Sequence, residues 1–236
     1  MSILVDHWHT DASRYDLAPV AGGDGIVDVE DLIALSEHLF EDERIIAHWM
    51  LDETEGMFAY DSAAENDGIV LGNPVWQPEG GQVNGALEFD GIDDVIIVKS
   101  VVNPKEDLFS VFAWVKGPVG GQVIISQAGG ANWLKVDHFS GSLMTELISM
   151  GRTGKPLLSQ VVVTDDLWHQ VGLTWDGSTR ILYVDNIEVA RDTQGQASLV
   201  ASDGGLSIGC GSEKAPGSFW SGMIDDVRIY DRAVTP

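Results

Sequence analysis

The sequence is poor in cysteine and in basic residues. Cys210 is its one cysteine, so no disulfide can form within the chain, and the surrounding SIGCG is typical of an inert core thiol. There are 13 lysines and arginines against 37 acidic residues, which gives a formal net charge of −24. A surface this negative repels phosphate groups, which argues against nucleic acid as a partner and disfavours insertion into or binding to anionic membranes.

Long apolar runs are also missing. No stretch approaches the roughly 20 apolar residues of a membrane-spanning helix. The first residues, MSILVDHWHTDASRY, lack the basic and apolar regions of a signal peptide, which leaves a trimmed secreted parent and a cytoplasmic protein both open. The 236 residues are 44% hydrophobic and include 27 glycines, enough for a sizeable core connected by many tight turns.

From Ile45 onward, apolar residues recur with the period of two that is typical of β-strands. In WHQVGLTW, for example, Val171, Leu173 and Trp175 share one face. In MIDDVRIY, we expect Ile224, Val227 and Ile229 to pack inward and Arg228 to face outward. About a dozen such short strands, separated by turn signals such as FDGIDD and WDGST, predict an all-β, two-sheet antiparallel sandwich of the jelly-roll type.

Residues 1–44 have a different pattern. In GGDGIVDVEDLIALSEHLF, residues 22–40, an apolar stripe that includes Leu32, Leu35 and Leu39 predicts a short N-terminal helix. The residues before it match the second half of a calcium loop. The side chains of Asp24, Asp28 and Asp31 and the carbonyl of Ile26 fall on ligand positions, whereas Val20 and Gly22 stand where two further oxygen ligands are needed.

Two interpretations of this loop remain open. Asp16 could supply a missing ligand if the loop is longer than the standard one, and the segment would then bind calcium. Alternatively, the acidic residues stabilise the positive end of the helix dipole without any metal.

Five motifs that follow one another in order resemble a known family. They are HWMLDETEG (48–56), GALEFDGIDDVIIV (85–98), FSVFAWVKG (109–117), LWHQVGLTWDGSTRILYVDN (167–186) and FWSGMIDDVRIYDRAV (219–234). Together they resemble the laminin G-like, concanavalin A-like jelly-roll domains of secreted bacterial proteins. The resemblance covers 45–236 and implies two stacked antiparallel sheets, a carbohydrate-binding or adhesion role, and a secreted or cell-surface location. Residues 1–44 resemble a single, degenerate repeat of a dockerin.

Trp133 is the most promising ligand-contact residue in the sequence. The resemblance assigns Trp49, Trp114, Trp168, Trp175 and Trp220 to the core, whereas SQAGGANWLKVD places Trp133 at a glycine-rich turn. Gln127, Asn132 and His138 flank it, and Glu213 falls in a loop that a related calcium-binding family uses for ligands. We therefore expect Trp133 to stack on a sugar ring while these polar side chains bind its hydroxyls. The alternative is that Trp133 folds back over a sheet edge.

Relatives of this type often hold one structural calcium ion between loops, and Asp61, Asp90, Asp93 and Asp225 are plausible oxygen ligands for it. The simpler interpretation is that Asp90 and Asp93 make hydrogen bonds within a turn and that Asp225 caps a strand end. A zinc site has no support, because Cys210 stands alone and the histidines are scattered.

Three functions remain open, and a non-catalytic module that binds a polysaccharide or glycan is the leading hypothesis. The first alternative is an adhesion or assembly module that binds a surface or scaffold protein. The other is a glycoside hydrolase or polysaccharide lyase. A glycosidase of this fold needs a pair of carboxylates, but the corresponding strand region, SLMTELISM, offers Glu146 alone.

Overall fold

The structure is a computed structural model of the 236-residue chain, and it describes residue 29 and residues 45–148, 154–193, 199, 202 and 204–236. The chain divides into two compact units, Met1–Arg44 and Ile45–Pro236. The predicted helix and the predicted calcium ligands Asp16, Asp24, Ile26, Asp28 and Asp31 lie outside the described residues. Within the described part, no helix is long and apolar enough to cross a membrane.

The second unit contains two antiparallel sheets. The strands of the first sheet are β1 (Ile45–Trp49), β4 (Val75–Gln77), β5 (Ala86–Asp90), β7 (Phe109–Lys116), β12 (His169–Trp175), β13 (Thr179–Val184), β14 (Ile187–Thr193) and β16 (Ser221–Tyr230). They are ordered β14-β13-β12-β7-β16-β5-β4, and β1 also pairs with β16.

The second sheet has the order β11-β10-β9-β8-β15-β6-β3-β2. Its strands are β2 (Phe58–Ala59), β3 (Gly68–Leu71), β6 (Val95–Val98), β8 (Val123–Gln127), β9 (Asn132–Val136), β10 (Ser142–Thr145), β11 (Leu157–Val162) and β15 (Leu206–Ile208). Neighbours in each sheet that are distant in sequence, such as β7 and β16, give the crossed connections of a jelly roll. The predicted all-β two-sheet sandwich is confirmed.

The period-two pattern decides which side chains enter the core between the sheets. Val171, Leu173 and Trp175 are all fully buried, as their alternation in β12 predicts. In β16, Ile224 and Val227 are both fully buried although they are three residues apart. A bulge between Asp225 and Arg228 accounts for this spacing, because Asp226 takes a positive φ of 51° and shifts the alternation by one residue.

Large aromatic side chains fill the core. Four tryptophans are fully buried, namely Trp49, Trp133, Trp175 and Trp220. The expectation that Trp114 and Trp168 are also core residues is wrong, because both are only half-buried. Trp114 alternates with Ala113 and Val115, which both face the core, so its own side chain points to the outer face of the first sheet.

Candidate functional site

A pocket of about 330 Å³ opens at one end of the second sheet. Its walls come from the turn between β8 and β9, the residues that follow β10, the start of β11, and the residues Pro104 and Ser212. Gln127 and Asn132 both line it, together with Glu146 and Leu147. The fold therefore brings two of the predicted ligand-contact residues to one cavity.

The turn between β8 and β9 shapes one wall. Gly130 donates its N–H to the carbonyl of Gln127, and the N–H of Gln127 binds the carbonyl of Ala131, each at 3.0 Å. The Gln127 side chain is fully buried, and its Nε2 donates to the carbonyl oxygen of Val102 at 2.7 Å. Gln127 thus has a structural role in fixing the loops around the pocket.

Glu146 and Asn132 of the lining belong to a hydrogen-bonded network that extends to Lys135, next to the pocket. One carboxylate oxygen accepts a hydrogen bond from Asn132 Nδ2 at 2.5 Å, and the other binds Lys135 Nζ at 2.7 Å. Asn132 Oδ1 in turn accepts the N–H of Ser212 at 3.0 Å. The Glu146 side chain remains 28% exposed, so the network can still be reached from solvent. It presents a carboxylate, an amide and an ammonium group side by side.

A buried arginine supports the opposite wall. Arg180, in β13, is fully buried and donates to Leu147 O at 2.5 Å and to Lys155 O at 3.0 Å. Its guanidinium also binds Asp192 of the neighbouring β14 through two hydrogen bonds of 2.8 and 2.5 Å. Because Leu147 and the residue after Lys155 line the pocket, Arg180 holds two wall segments in place. The sequence alone did not indicate this role of Arg180, because the pattern of RILYVD predicts only a strand with a polar residue at each end.

The prediction that Trp133 is an exposed stacking platform is wrong. Trp133 lies in β9 with no exposed surface, and its ring centroid is 4.6 Å from that of Phe109. Asn132 begins the strand and takes the outward position, so the next side chain must point between the sheets. An indole in that position cannot contact a ligand from solvent.

Two other predicted contacts are not brought to the pocket. His138 follows the far end of β9 from Asn132 and is exposed on a turn, where its ring packs against Phe139. Glu213 is exposed and adjoins Ser212, but it does not line the cavity. The length of β9 separates His138 from the site.

The predicted calcium ligands of the sandwich are also not assembled into one group. Asp61 is buried, and its carboxylate accepts hydrogen bonds from His48 N, Ala63 N and both nitrogens of Asn66. Burial alone would raise the pKa of Asp61, but these hydrogen bonds lower it below the ordinary value. Its oxygens are therefore already used for loop structure.

Asp90 and Asp93 do meet, but with Asp94 rather than with Asp61 or Asp225. Potential ligand atoms of these three side chains lie within 4.8 Å of one another, the one such group in the part of the chain that the structure describes. Asp94 is buried and accepts hydrogen bonds from Asn73 N at 2.6 Å and Asp90 N at 2.9 Å. Asp90 binds the N–H of Ile92 at 2.8 Å. These contacts match the interpretation of Asp90 as a turn residue.

Asp225 is a buried carboxylate with one unsatisfied oxygen. It is fully buried, and its Oδ2 accepts the N–H of Val83 at 2.8 Å. No described residue hydrogen-bonds to its Oδ1. Burial raises the pKa of Asp225 to about 7, and the nearby carboxylates of Asp226 and Asp52 add to the rise. An unpaired buried carboxylate is costly, and either a proton or a bound cation would satisfy this oxygen.

The loop over Asp225 is built closely around it. A Cβ on Gly81 would come within 1.8 Å of the carbonyl oxygen of Gly85 and within 2.9 Å of Asp225 Oδ2. Asp52 accepts the N–H of Gly85 at 2.8 Å. Asp52 is a neighbouring carboxylate, as its effect on the pKa of Asp225 shows, and carboxylate oxygens are among the ligands that calcium prefers.

Comparisons with known proteins fit this architecture. Residues 89–236 match the laminin G-like family model described as the Concanavalin A-like lectin/glucanases superfamily. The chain belongs to this family. Among curated proteins, none matches the chain.

Solved structures that resemble the chain include domain 4 of AbnA, a GH43 extracellular arabinanase from Geobacillus stearothermophilus, in complex with arabinotriose. That match has a TM-score of 0.57 and 17% identity over 82% of this chain and 95% of that chain. The binding domain of Paraclostridial Mosquitocidal Protein 1 matches with a TM-score of 0.65 and 10% identity over 82% and 50% of the two chains.

The binding domain of botulinum neurotoxin DC, in complex with SialylT, matches with a TM-score of 0.61 and 12% identity over 82% and 49% of the two chains. The chain thus spans about half the length of the two toxin domains it matches. At these identities, the similarity establishes the fold.

Proposed function

We propose that residues 45–236 form a non-catalytic carbohydrate-binding module and that the pocket beside the β8–β9 turn is its saccharide site. The network of Asn132, Glu146 and Lys135 carries this proposal. Sugar hydroxyls both donate and accept hydrogen bonds, and these three groups offer an amide, an acceptor and a donor. Pro104, Leu147 and other apolar lining residues suit the C–H faces of a sugar ring.

Two further observations support a neutral glycan as the ligand. The arabinanase domain that the fold resembles was solved with arabinotriose, a neutral oligosaccharide. The net charge of −24 would repel an anionic polysaccharide at long range. Hydrogen bonds and apolar contacts, rather than ring stacking on Trp133, would therefore provide the affinity.

The proposed role is binding without turnover. Glycoside hydrolysis uses two carboxyl groups on opposite sides of the scissile bond. Among the described residues that line the pocket, Glu146 is the one carboxylate, and its charge is paired with that of Lys135. Such a group binds a hydroxyl but lacks the second carboxyl group that hydrolysis requires.

Titration with neutral oligosaccharides, arabinotriose among them, tests the proposal by calorimetry. We expect Glu146→Gln and Asn132→Ala each to weaken binding by about tenfold, the cost of one good hydrogen bond to a sugar. Glu213→Gln is the matched control, because Glu213 is exposed beside the pocket and should leave affinity unchanged. Equal losses in all three variants, or no binding across an immobilised glycan array, would refute the proposal. Release of reducing ends from a polysaccharide would show a hydrolase instead.

We also propose that the protein acts outside the cell or on its surface. The extracellular arabinanase among the similar structures supports this location. The dockerin-like pattern of residues 22–40 supports attachment to a scaffold protein, and calcium binding through Asp24, Asp28 and Asp31 stays part of that prediction.

Calcium is a proposed structural ligand of the sandwich. The buried Oδ1 of Asp225 carries this proposal, with the neighbouring carboxylate of Asp52 as a further ligand. A bound cation would offset the repulsion between the Asp225 and Asp52 carboxylates and fix the loop between β4 and β5 to β16.

A further inference from the structure

The outer face of β2 and β3 has an apolar surface that the proposed glycan pocket does not use. Phe58 and Tyr60 alternate with the buried Ala59, and their rings stack with centroids 6.2 Å apart. Phe58 pairs across the strands with Ile69, and Leu71 lies two residues further along the same face of β3. These four residues, here called the β2–β3 patch, are between 45% and 58% exposed.

An open cleft continues this surface. It lies between residues 54–57 and residues 72–76, and Met57, Val75 and Trp76 provide its apolar lining. Met57 is 69% exposed, and its carbonyl oxygen accepts the N–H of Val70 in β3, so the cleft adjoins the strand pair. The β2–β3 patch and the cleft therefore form one extended apolar surface.

Charge around this surface is predominantly negative, and Lys99, directly after β6, is the first basic residue that follows. Residues 45–98 contain no lysine or arginine and eleven acidic residues, namely Asp52, Glu53, Glu55, Asp61, Glu65, Asp67, Glu79, Glu88, Asp90, Asp93 and Asp94. Glu55 lines the cleft. Asp93 and Asp94 lie against Gly72, directly after the end of β3, and Glu65 and Asp67 precede its start. Acidic groups thus stand at both ends of the β2–β3 patch.

We propose that the β2–β3 patch and its cleft bind a protein segment that is both basic and apolar. Apolar side chains of the segment would cover Phe58, Tyr60 and Ile69, and its lysine or arginine side chains would reach the flanking acids. Charge complementarity selects this occupant over a second copy of the chain, because two surfaces of net charge −24 repel each other. This interaction would be separate from glycan binding, since neither Glu146 nor Asn132 belongs to the surface.

Three synthetic peptides of about 12 residues are the probes. In the first, lysine alternates with leucine; in the second, lysine alternates with serine; in the third, glutamate alternates with leucine. Binding is measured by fluorescence anisotropy at about 0.15 M salt, where interactions between distant exposed charges are largely screened. We expect the lysine–leucine peptide to bind at least about tenfold more tightly than the other two, because only it matches both the apolar surface and its charge.

Variants of the protein then locate the site. The double variant Phe58→Ser/Tyr60→Ser should weaken binding of the lysine–leucine peptide by about tenfold, and so should the separate variant Ile69→Thr. Neither should change the melting curve of the protein. Phe139→Ser is the matched control, because Phe139 is 95% exposed on a distant turn. Glu146→Gln should also leave peptide binding intact, which separates this result from a failure of the glycan site.

Several outcomes would overturn the proposal. If the lysine–serine peptide binds as tightly, charge alone explains the affinity. If Phe139→Ser loses as much affinity as the patch variants, the β2–β3 patch is not the site. A soluble oligosaccharide whose binding is lost in Phe58→Ser/Tyr60→Ser would reassign the surface to a glycan. A dimer of the wild type that disappears in that variant would assign it to self-association.

Discussion

Trp133 shows how the position of a side chain in a strand determines whether it can contact a ligand or belongs to the core. Its indole is packed against Phe109 in the sheet interface, and its Nε1 has no hydrogen-bond partner among the described residues. We expect Trp133→Ala to lower the free energy of unfolding by about 3–5 kcal/mol, the usual cost of removing a large buried aromatic side chain. Trp133→Phe should cost less, because it fills most of the space and removes an unsatisfied donor.

Urea unfolding measures both stabilities, and glycan titration of folded Trp133→Phe checks the role in binding. We expect its affinity to equal that of the wild type. A Trp133→Ala variant that is as stable as the wild type but no longer binds glycan would restore the stacking interpretation.

His169 should make stability depend on pH near neutrality. Burial lowers its pKa, but hydrogen bonds with Asp185 at 2.8 Å and Asp165 at 3.1 Å outweigh this and raise the pKa above its ordinary value of 6.5. The folded state therefore binds the proton more tightly than the unfolded state. This stabilisation is fully present below pH 6.5 and is lost as the pH rises through the folded-state pKa.

Urea unfolding at a series of pH values around neutrality tests this dependence. The wild type should lose more stability with rising pH than His169→Gln, and Asp185→Asn should fall between the two. Parallel curves for wild type and His169→Gln would mean that the imidazole does not contribute.

At the scale of elements, Arg180 connects β13 to β14 and to the two segments that line the pocket. Arg180→Leu removes four hydrogen bonds, two of them to the carboxylate of Asp192. We expect a loss of about 3–5 kcal/mol in unfolding free energy, as is typical when one partner of a buried ion pair is removed. Glycan affinity should fall as well, because the wall at Leu147 loses its anchor.

Arg191→Leu is the matched control. Arg191 lies on β14 and pairs with Glu188, but its side chain is 59% exposed, so its removal should cost much less stability than removal of Arg180. Urea unfolding and oligosaccharide titration are run on both variants. If the two arginine variants behave alike, Arg180 does not position the pocket.

At the scale of the whole molecule, excess negative charge should make the fold sensitive to calcium. We expect about 1 mM CaCl₂ to raise the melting temperature of the wild type above its value in EDTA by several degrees, because binding to the folded state stabilises it. Asp225→Asn should reduce the difference, and any response that remains should disappear in Asp225→Asn/Asp24→Ala, because Asp24 belongs to the separate N-terminal loop. Magnesium chloride at the same concentration controls for general screening. A calcium response of Asp225→Asn that equals that of the wild type would exclude this site.

Much of the sandwich was predictable because its cause is local. Alternation in β12 puts Val171, Leu173 and Trp175 into the core, and Asn186 in the turn after β13 takes the positive φ, 65°, that its side chain tolerates. Periodicity gives the face of a side chain within a strand. The prediction of a side chain's face fails where a strand is short or where its first residue is uncertain. In β9, for example, the sequence placed Trp133 in an exposed turn, whereas its side chain points into the core.

The sequence by itself determined the fold class, the large negative charge and the family motifs, because these depend on residue types and short-range order. Tertiary structure alone decided which distant residues meet. Hairpins and crossed strand connections together bring Asn132 and Glu146 to one pocket, place Arg180 beneath its wall, and enclose Asp225 under residues 81–85. They also leave Phe58, Tyr60 and Ile69 together on an open face. The contacts of Arg180 and Asp225 join residues far apart in the chain, and local pattern carries no information about them.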